Sequence, residues 1–252
     1  MAGSDLSVTF VGHSTVLLEL DGMRILTDPF LRAGVGPIRR VAGPVDLDLL
    51  RNIDLVLISH AHLDHLDRAS LRLLGGSPQF LVPLGSADRA RAGGALLVTE
   101  LSVGERITIG PLQVTATQAV HDVARQPFGL PTAAIGFLIQ GTRSVYFAGD
   151  TDLFPGMATI APDLDQALQP NAGWGPRLGP GHLNPSRAAR ALELLVPYAA
   201  MPIHWGTLWP AGLQRIAGGR LLAPAVEFAA AAASAAPDVR LLLLEPGAKG
   251  KV

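Results

Sequence analysis

The sequence predicts an α/β protein in which two similar β-layers pack face to face with helices on the outside. Three observations lead there. Short apolar runs rich in β-branched residues form two clusters, one in residues 1–110 and one in 111–252, with helical stretches set between them. Hydrophobic residues make up 48% of the 252, and mean hydropathy is +0.33, ample for a large core. No repeat of short period breaks the chain into modules.

Taken in order, Ser7 to Phe10 alternates, and Thr15 to Leu20 is a stronger strand. Asp21-Gly22 is a hairpin turn, and Met23 to Thr27 is the return strand. Residues 30–46 carry Pro37, Pro44, three glycines and Arg32, Arg39 and Arg40, so they read as a long loop of the kind that serves as a lid or a solvated excursion. Ile53 to Ser59 is a buried strand, and Asp67 caps a short helix from Arg68 to Leu74.

Gln79 to Pro83 is a strand and Ser86 to Gly93 a brief helix. Strands follow at Leu96 to Thr99, Arg106 to Ile109, Leu112 to Thr117, Ala134 to Gln140 and Ser144 to Phe147. Residues 163–182 are rich in Pro and Gly and carry Trp174 and Arg177. Asn184-Pro185 then starts a helix, Asn as the cap and Pro in the first turn, and Pro197 ends it. Met201 to Ile203 is a short strand, Pro224 opens an Ala-rich helix to about Ala236, and Val239 to Leu244 is the last strand.

The chain has no cysteine, so disulfides and thiolate metal sites are excluded. Net charge is −1, without the cationic excess of a dedicated nucleic-acid binder, and no nucleic-acid partner is expected. The first residues lack a charged segment leading into an apolar one, and residues 194–214, interrupted by three prolines and His204, make a poor membrane span. A cytoplasmic location without a transmembrane segment is the expectation. The oligomeric state is left open, and a homo-oligomer is compatible with the sequence.

The chemistry concentrates at residues 53–67. A buried strand breaks there into His60, His62, Asp64 and His65. Helical neighbours lie three or four apart, so spacings of 2, 4 and 5 from His60 do not share one helix face; a sharp turn at a strand end can bring them together. The chain has seven histidines, and three of them fall in this one loop. His121, Asp150 and His204 each stand at or just beyond another strand end, where active sites of layered α/β folds collect. Seven such ligands suit two metals: one set could be His60, His62 and His121, the other Asp64, His65 and His204, with Asp150 as a bridge. Cations about 3.5–4 Å apart activate a shared water as nucleophile and hold the developing anion, with no need of a nucleophilic Ser or Cys. Imidazole and carboxylate donors suit zinc, manganese or iron. His13 lies in the turn Gly12-His13-Ser14, with a capped loop histidine as the plain alternative.

His-X-His-X-Asp-His at 60–65, followed in order by His121, Asp150 and His204, resembles the signature of the metallo-β-lactamase superfamily over essentially the whole chain. The resemblance implies one αββα four-layer sandwich spanning 1–252, with two divalent ions, Zn²⁺ foremost and Mn²⁺ or Fe²⁺ as alternatives, in a cleft at one edge of the sheets. Gly-His-Ser-Thr-Val-Leu at 12–17, Thr-Asp-Pro-Phe at 27–30 and Ile-His-Trp-Gly-Thr at 203–207 are similar to the branch holding ascorbate-6-phosphate lactonase and N-acyl-phosphatidylethanolamine-hydrolysing phospholipase D. Val-Pro-Leu-Gly at 82–85, Phe-Ala-Gly-Asp-Thr at 147–151 and the loop Pro170 to Arg177 resemble the phospholipase side.

From this resemblance Asp64 and His182 are expected to take part in the chemistry, His182 as a substrate contact or proton donor. Arg125, Arg177 and Trp174 are expected to meet an anionic small-molecule or lipid-like substrate. Asp28 and His13 are expected to support the ligands from behind. The function implied is metal-dependent hydrolysis of an ester-type bond, foremost a phosphodiester. The enzymatic alternative is a lactonase for a small phosphorylated sugar acid. A di-iron oxygen- or nitric-oxide-reducing protein is disfavoured because related proteins of that kind carry Glu where His62 stands. A non-catalytic metal-binding scaffold is disfavoured because all seven ligands are present.

Overall fold

The computed structural model describes residues 6–74, 77–122, 132–174, 178–213 and 219–252. The chain opens with an antiparallel meander, β1 (Ser7–Gly12), β2 (Thr15–Leu20) and β3 (Met23–Thr27). A small hairpin follows, β4 (Gly34–Val35) and β5 (Ile38–Arg40). The chain returns to the first sheet with β6 (Leu55–Leu57), parallel to β3, then α1 (Arg68–Leu71), β7 (Gln79–Pro83), α2 (Ala87–Ala92) and β8 (Leu97–Leu101). The second sheet starts antiparallel with β9 (Arg106–Ile109), β10 (Leu112–Gln118), β11 (Ile135–Gln140) and β12 (Ser144–Phe147). It goes on in parallel with β13 (Gln166–Pro170), α3 (Pro185–Leu195) and β14 (Ala199–Ile203). Last come β15 (Leu208–Pro210), α4 (Gly219–Ala235), β16 (Arg240–Leu241) and β17 (Lys249–Lys251).

The first sheet has the order β17-β1-β2-β3-β6-β7-β8 and the second β16-β14-β13-β12-β11-β10-β9. Period-two alternation sorts their side chains between two faces. Inward residues of both sheets, among them Leu18, Ile25 and Leu57 from the first and Val114, Phe137 and Phe147 from the second, form one shared core. Their outward neighbours Leu17, Val56 and Phe80 pack with Leu71 of α1 and Ala90 of α2. On the far side Leu138, Tyr146 and Ala200 pack with Leu192 of α3 and Phe228 of α4. The expected αββα layering is therefore present.

Several local expectations are corrected. The boundary between the sheets falls between β8 and β9 rather than at residue 110, and β17 crosses back to pair with β1. Residues 30–46 contain the β4–β5 hairpin, which gains β15 as a third strand from far along the chain. The three arginines of that segment are engaged within the protein. Arg32 donates two hydrogen bonds to the carboxylate of Asp67, while Arg39 and Arg40 donate to backbone carbonyls.

The segment 163–182 includes β13, buried along its whole length although Gln-Ala-Leu-Gln-Pro lacks β-branched residues. α4 begins at Gly219 and carries Pro224 inside it rather than at its start. The caps stand as expected: Asp67 accepts a hydrogen bond from the N–H of Ser70, and Asn184 from that of Arg187. Among the described residues no helix is long and apolar enough to cross a membrane.

Phe137 is wholly buried and stacks on Phe147 with ring centroids 6.5 Å apart. Phe137→Ala is expected to destabilise the protein by about 3–5 kcal/mol, and loss of the Asn184 cap by Asn184→Ala by about 1 kcal/mol. Urea unfolding at unchanged m-value checks both. A loss for Phe137→Ala no larger than that for Asn184→Ala would contradict the burial of this same-sheet pair in the core between the sheets.

Candidate metal centre

The candidate site lies where strand ends of the two sheets meet. β6 delivers the 60–65 turn, β10 leads to His121, β12 to Asp150 and β14 to His204. The glycine before Asp150 is required by this meeting. Gly149 has φ +60°, and a Cβ there would come 2.4 Å from Cβ of Ser59 on the other sheet. Ile135 N–H of β11 donates to the Ser59 carbonyl at 3.0 Å, closing the seam.

Two groups of side chains result. In the first, His60 Nε2 lies 2.9 Å from His62 Nδ1, and His121 Nε2 lies 3.3 Å from the same atom. In the second, His204 Nε2 lies 3.3 Å from His65 Nε2, and Asp64 Oδ2 lies 3.6 Å from His65 Nε2. Asp150 stands between them: its Oδ2 is 3.3 Å from His65 Nε2, 3.2 Å from His204 Nε2 and 4.0 Å from His60 Nε2. All seven residues singled out as ligands thus converge.

The supports were legible only in part. Asp28 is fully buried and accepts from His65 Nδ1 at 2.7 Å, as expected of a residue behind a ligand. It also accepts from the N–H and Oγ of Ser59 at 2.7 and 2.5 Å, and Ser59 Oγ meets His60 Nδ1 at 2.9 Å. One carboxylate therefore orients two histidines and leaves each Nε2 turned to the site. His121 Nδ1 donates to the Gly181 carbonyl at 2.7 Å, with the same effect. Sequence reasoning missed Ser59 and Gly181. Ser59 could have been suspected from its place directly before His60, whereas Gly181 acts through its backbone and leaves no side-chain signal.

His13 Nε2 touches Asp64 Oδ2 at 3.0 Å and stands in one group with Asp64, His65 and His204. His182 Nε2 lies 3.3 Å from Asp150 Oδ2, and its Nδ1 faces the carbonyls of Gly179 and Pro180 at 3.1 and 3.2 Å. Trp174 is exposed at the rim of a cavity of about 360 Å³ that opens beside His13 and His204. That cavity is walled by all three tryptophans, Trp174, Trp205 and Trp209, with Leu178, Leu208 and Leu221. Glu227 is its one charged residue among the described lining. Arg125 and Arg177 lie outside the described residues.

The electrostatics are those of a candidate cation site. Burial, helped by neighbouring histidines, pushes His60 well below the usual imidazole range, lowers His62 to about 4 and lowers His121, so all three are neutral donors. Burial would raise the carboxyls of Asp64 and Asp150, but surrounding histidines hold both well below the usual range, His65 and then His13 at Asp64, His204 and then His65 at Asp150. His62 Nε2, His204 Nδ1 and Asp150 Oδ1 are buried without a hydrogen-bond partner in the structure. The neutral imidazoles of His60, His62 and His121, facing one another nitrogen to nitrogen, and the ionised carboxylates beside them fit a divalent ion of the zinc, manganese or iron class.

Comparison with known proteins agrees with this geometry. Residues 23–205 match the Beta-lactamase superfamily domain. The chain belongs to that superfamily. A metal-dependent hydrolase of Methanopyrus kandleri is 30% identical over 96% of this chain and 98% of its own. An uncharacterized protein of Mycobacterium tuberculosis is 35% identical over 81% of this chain, and the match spans 59% of that longer protein. N-acyl-phosphatidylethanolamine-hydrolyzing phospholipase D 1 of Caenorhabditis elegans is 31% identical over 83% of this chain and 66% of its own. Among solved structures, Igni18, a metallo hydrolase of Ignicoccus hospitalis, superposes with a TM-score of 0.72 at 25% identity over 99% of both chains. A possible metal-dependent hydrolase of Veillonella parvula gives 0.75 at 17% identity over the whole of both chains, a likeness of fold alone. The superfamily fold is therefore the one the sequence resemblance implied.

Two predictions follow from the supports and the charges. Asp28→Ala should weaken metal binding by about 10–100-fold, because two ligand rings lose their orientation; competition against a chromophoric chelator measures it, and unchanged affinity would refute the role. The second concerns His65. Burial opposes its charge, but Asp150, Asp64 and Asp28 outweigh burial and hold it well above the usual imidazole range. Without metal it therefore carries a proton at neutral pH, which an incoming cation must displace. Apparent affinity should rise about tenfold per pH unit until that raised value is passed, then level off. Proton release on metal addition in weak buffer checks the sign.

Proposed function

We propose that the protein is a metal-dependent hydrolase that holds two divalent cations, Zn²⁺ foremost, within one domain formed by the whole chain. His60, His62 and His121 would hold one, Asp64, His65 and His204 the other, and Asp150 would be shared. The observation that carries this reading is the position of Asp150 Oδ2, within 4.0 Å of a ring nitrogen from each set. When bound, such a pair supplies a water of lowered pKa and positive charge against the scissile group.

The chain's own groups then divide the remaining tasks. Without metal, burial opposes a proton on His182, but the Asp150 carboxylate and the carbonyls of Gly179 and Pro180 raise its pKa; its Nδ1 faces those carbonyls, so its Nε2 would be the atom that gives a proton to a leaving oxygen. Asp64 is too strongly ionised to carry that proton, and its part is to hold and orient. The buried strand ends leave the centre open chiefly on the side of the half-buried His62, His121 and His182.

For the substrate we favour a phosphodiester with an apolar arm. The tryptophan-walled cavity beside His204 suits an uncharged, flat or aliphatic group better than a second phosphate. The relative in Caenorhabditis elegans, by its name, acts on a phosphodiester of that kind. Arg125 and Arg177 are proposed as the anion contacts. A sugar-phosphate lactone would place its anionic charge in a cavity whose one charged residue among the described lining is Glu227, and is the less favoured substrate.

Metal analysis joined to a substrate panel tests the proposal. Protein with two metal equivalents should hydrolyse an acylated phosphodiester faster than a small phosphodiester, and either faster than sugar-phosphate lactones. No turnover of any phosphodiester, lactone or ester would sink it. His182→Gln should keep both metals and lower kcat by about 10²–10⁴-fold. It should also remove the fall in rate at high pH, which marks loss of the acid's proton.

A further inference from the structure

We infer that His13 is the positioning residue of the inner half of the centre: it clamps the Asp64 carboxylate so that the Asp64, His65 and His204 set retains its cation after the three-histidine set has released its own. This rests on the two-cation reading above.

The two halves are built differently. In the outer half His62 and His121 are half-buried, and His62 Nε2 has no hydrogen-bond partner in the structure. In the inner half His65 and His204 are almost wholly buried. Its loose member is Asp64, whose side chain is 13% exposed and whose carboxylate lies 3.6 Å from His65 Nε2 and 4.0 Å from His204 Nε2. The contact that holds it at hydrogen-bond distance is His13 Nε2 at 3.0 Å. His13 is itself 1% exposed, and its ring centroid is 4.0 Å from that of His204. In the tautomer with Nε2 protonated, His13 donates to Asp64 Oδ2, the same oxygen that faces His65 and His204, and so holds that oxygen in place.

A dedicated brace holds His13 there. The residue has φ +59° and His204 has φ +66°, a left-handed conformation uncommon outside glycine. The His204 N–H donates to the His13 carbonyl at 2.8 Å, and the His13 N–H donates to Thr207 Oγ1 at 2.7 Å. Thr207 Oγ1 donates in turn to the Trp205 carbonyl, and the Thr207 carbonyl accepts from Val41 N–H at 2.8 Å. Arg40 of β5 donates to the Val11 carbonyl. Gly12, with φ +129°, lets this bracing approach, since a Cβ there would lie 2.9 Å from both Arg40 Nη2 and Thr207 Oγ1. The small third sheet therefore converges on the 12–14 turn, and the one side chain of that turn that reaches the centre is His13.

The test is stepwise removal of Zn²⁺ from the full chain by increasing chelator, read as equivalents released. The wild-type protein should release two equivalents in two steps. His62→Ala assigns them, lacking the weaker step and keeping the tighter one. His13→Ala should move the tighter step to about 10–100-fold weaker chelation and leave the other in place. His13→Gln, whose amide can donate to Asp64, should recover most of that loss and serves if the alanine variant does not fold. The visible spectrum of Co²⁺ bound in the inner half should keep its shape and intensity in His13→Gln, because the ligands are unchanged.

An unmoved tighter step in both variants overturns the inference. So does an equal shift of both steps, which would mark a general structural role, or a Co²⁺ spectrum showing a lost nitrogen ligand, which would make His13 a ligand itself. A wild-type protein that takes up fewer than two equivalents overturns the two-cation reading, and the inference with it. Two equivalents that leave the wild type in one step overturn the inference alone.

Discussion

A buried carboxylate, that of Asp28, is the constraint around which the candidate centre is arranged. It sits at the end of β3 with no exposure to solvent and accepts from His65, from the Ser59 backbone and from the Ser59 hydroxyl. Burying an ionised group is costly unless its oxygens are fully engaged. Here that demand ties three segments together: the end of β3, the end of β6 and the ligand turn after it. Because Ser59 passes the contact on to His60, one charge sets the ring orientation of a histidine in each half of the centre.

The two-sheet architecture explains why so many strands can contribute. Each sheet is mixed, antiparallel at one side and parallel at the other, and its central strands end at the same edge. Ligands placed just beyond those ends come together without any helix having to carry them, which is the general habit of α/β sheets. The seam depends on small distances. Gly149 and the Ile135–Ser59 hydrogen bond let the second sheet approach the ligand turn closely enough for Asp150 to reach both groups of histidines.

Function and stability use the same residues differently at the two ends of the centre. The His121 and His182 side is half-buried, with His182 held between Asp150 and backbone carbonyls, a suitable place for a group that exchanges protons with a substrate. The His13 and His204 side is almost wholly buried and lines the cavity walled by the tryptophans. The proposed substrate, with a polar scissile group and an uncharged arm, would meet one side each. The arginines of residues 30–46, candidates for a lid by composition, are spent within the protein on Asp67 and on backbone carbonyls.

The sequence by itself determined the layering, most strands and all seven candidate ligands. Period-two alternation, Asn184 and Asp67 as caps, and histidines clustered after apolar runs are local signals that survive without a partner. Tertiary structure alone decided the rest. β13 and β17 form because neighbouring strands accept them, not because Gln-Ala-Leu-Gln-Pro or Lys-Gly-Lys favours extended backbone. β4 and β5 need β15 from about 170 residues away in the chain. The parts played by Ser59, Gly181 and His13 depend on distances between segments far apart in sequence, which no local pattern encodes.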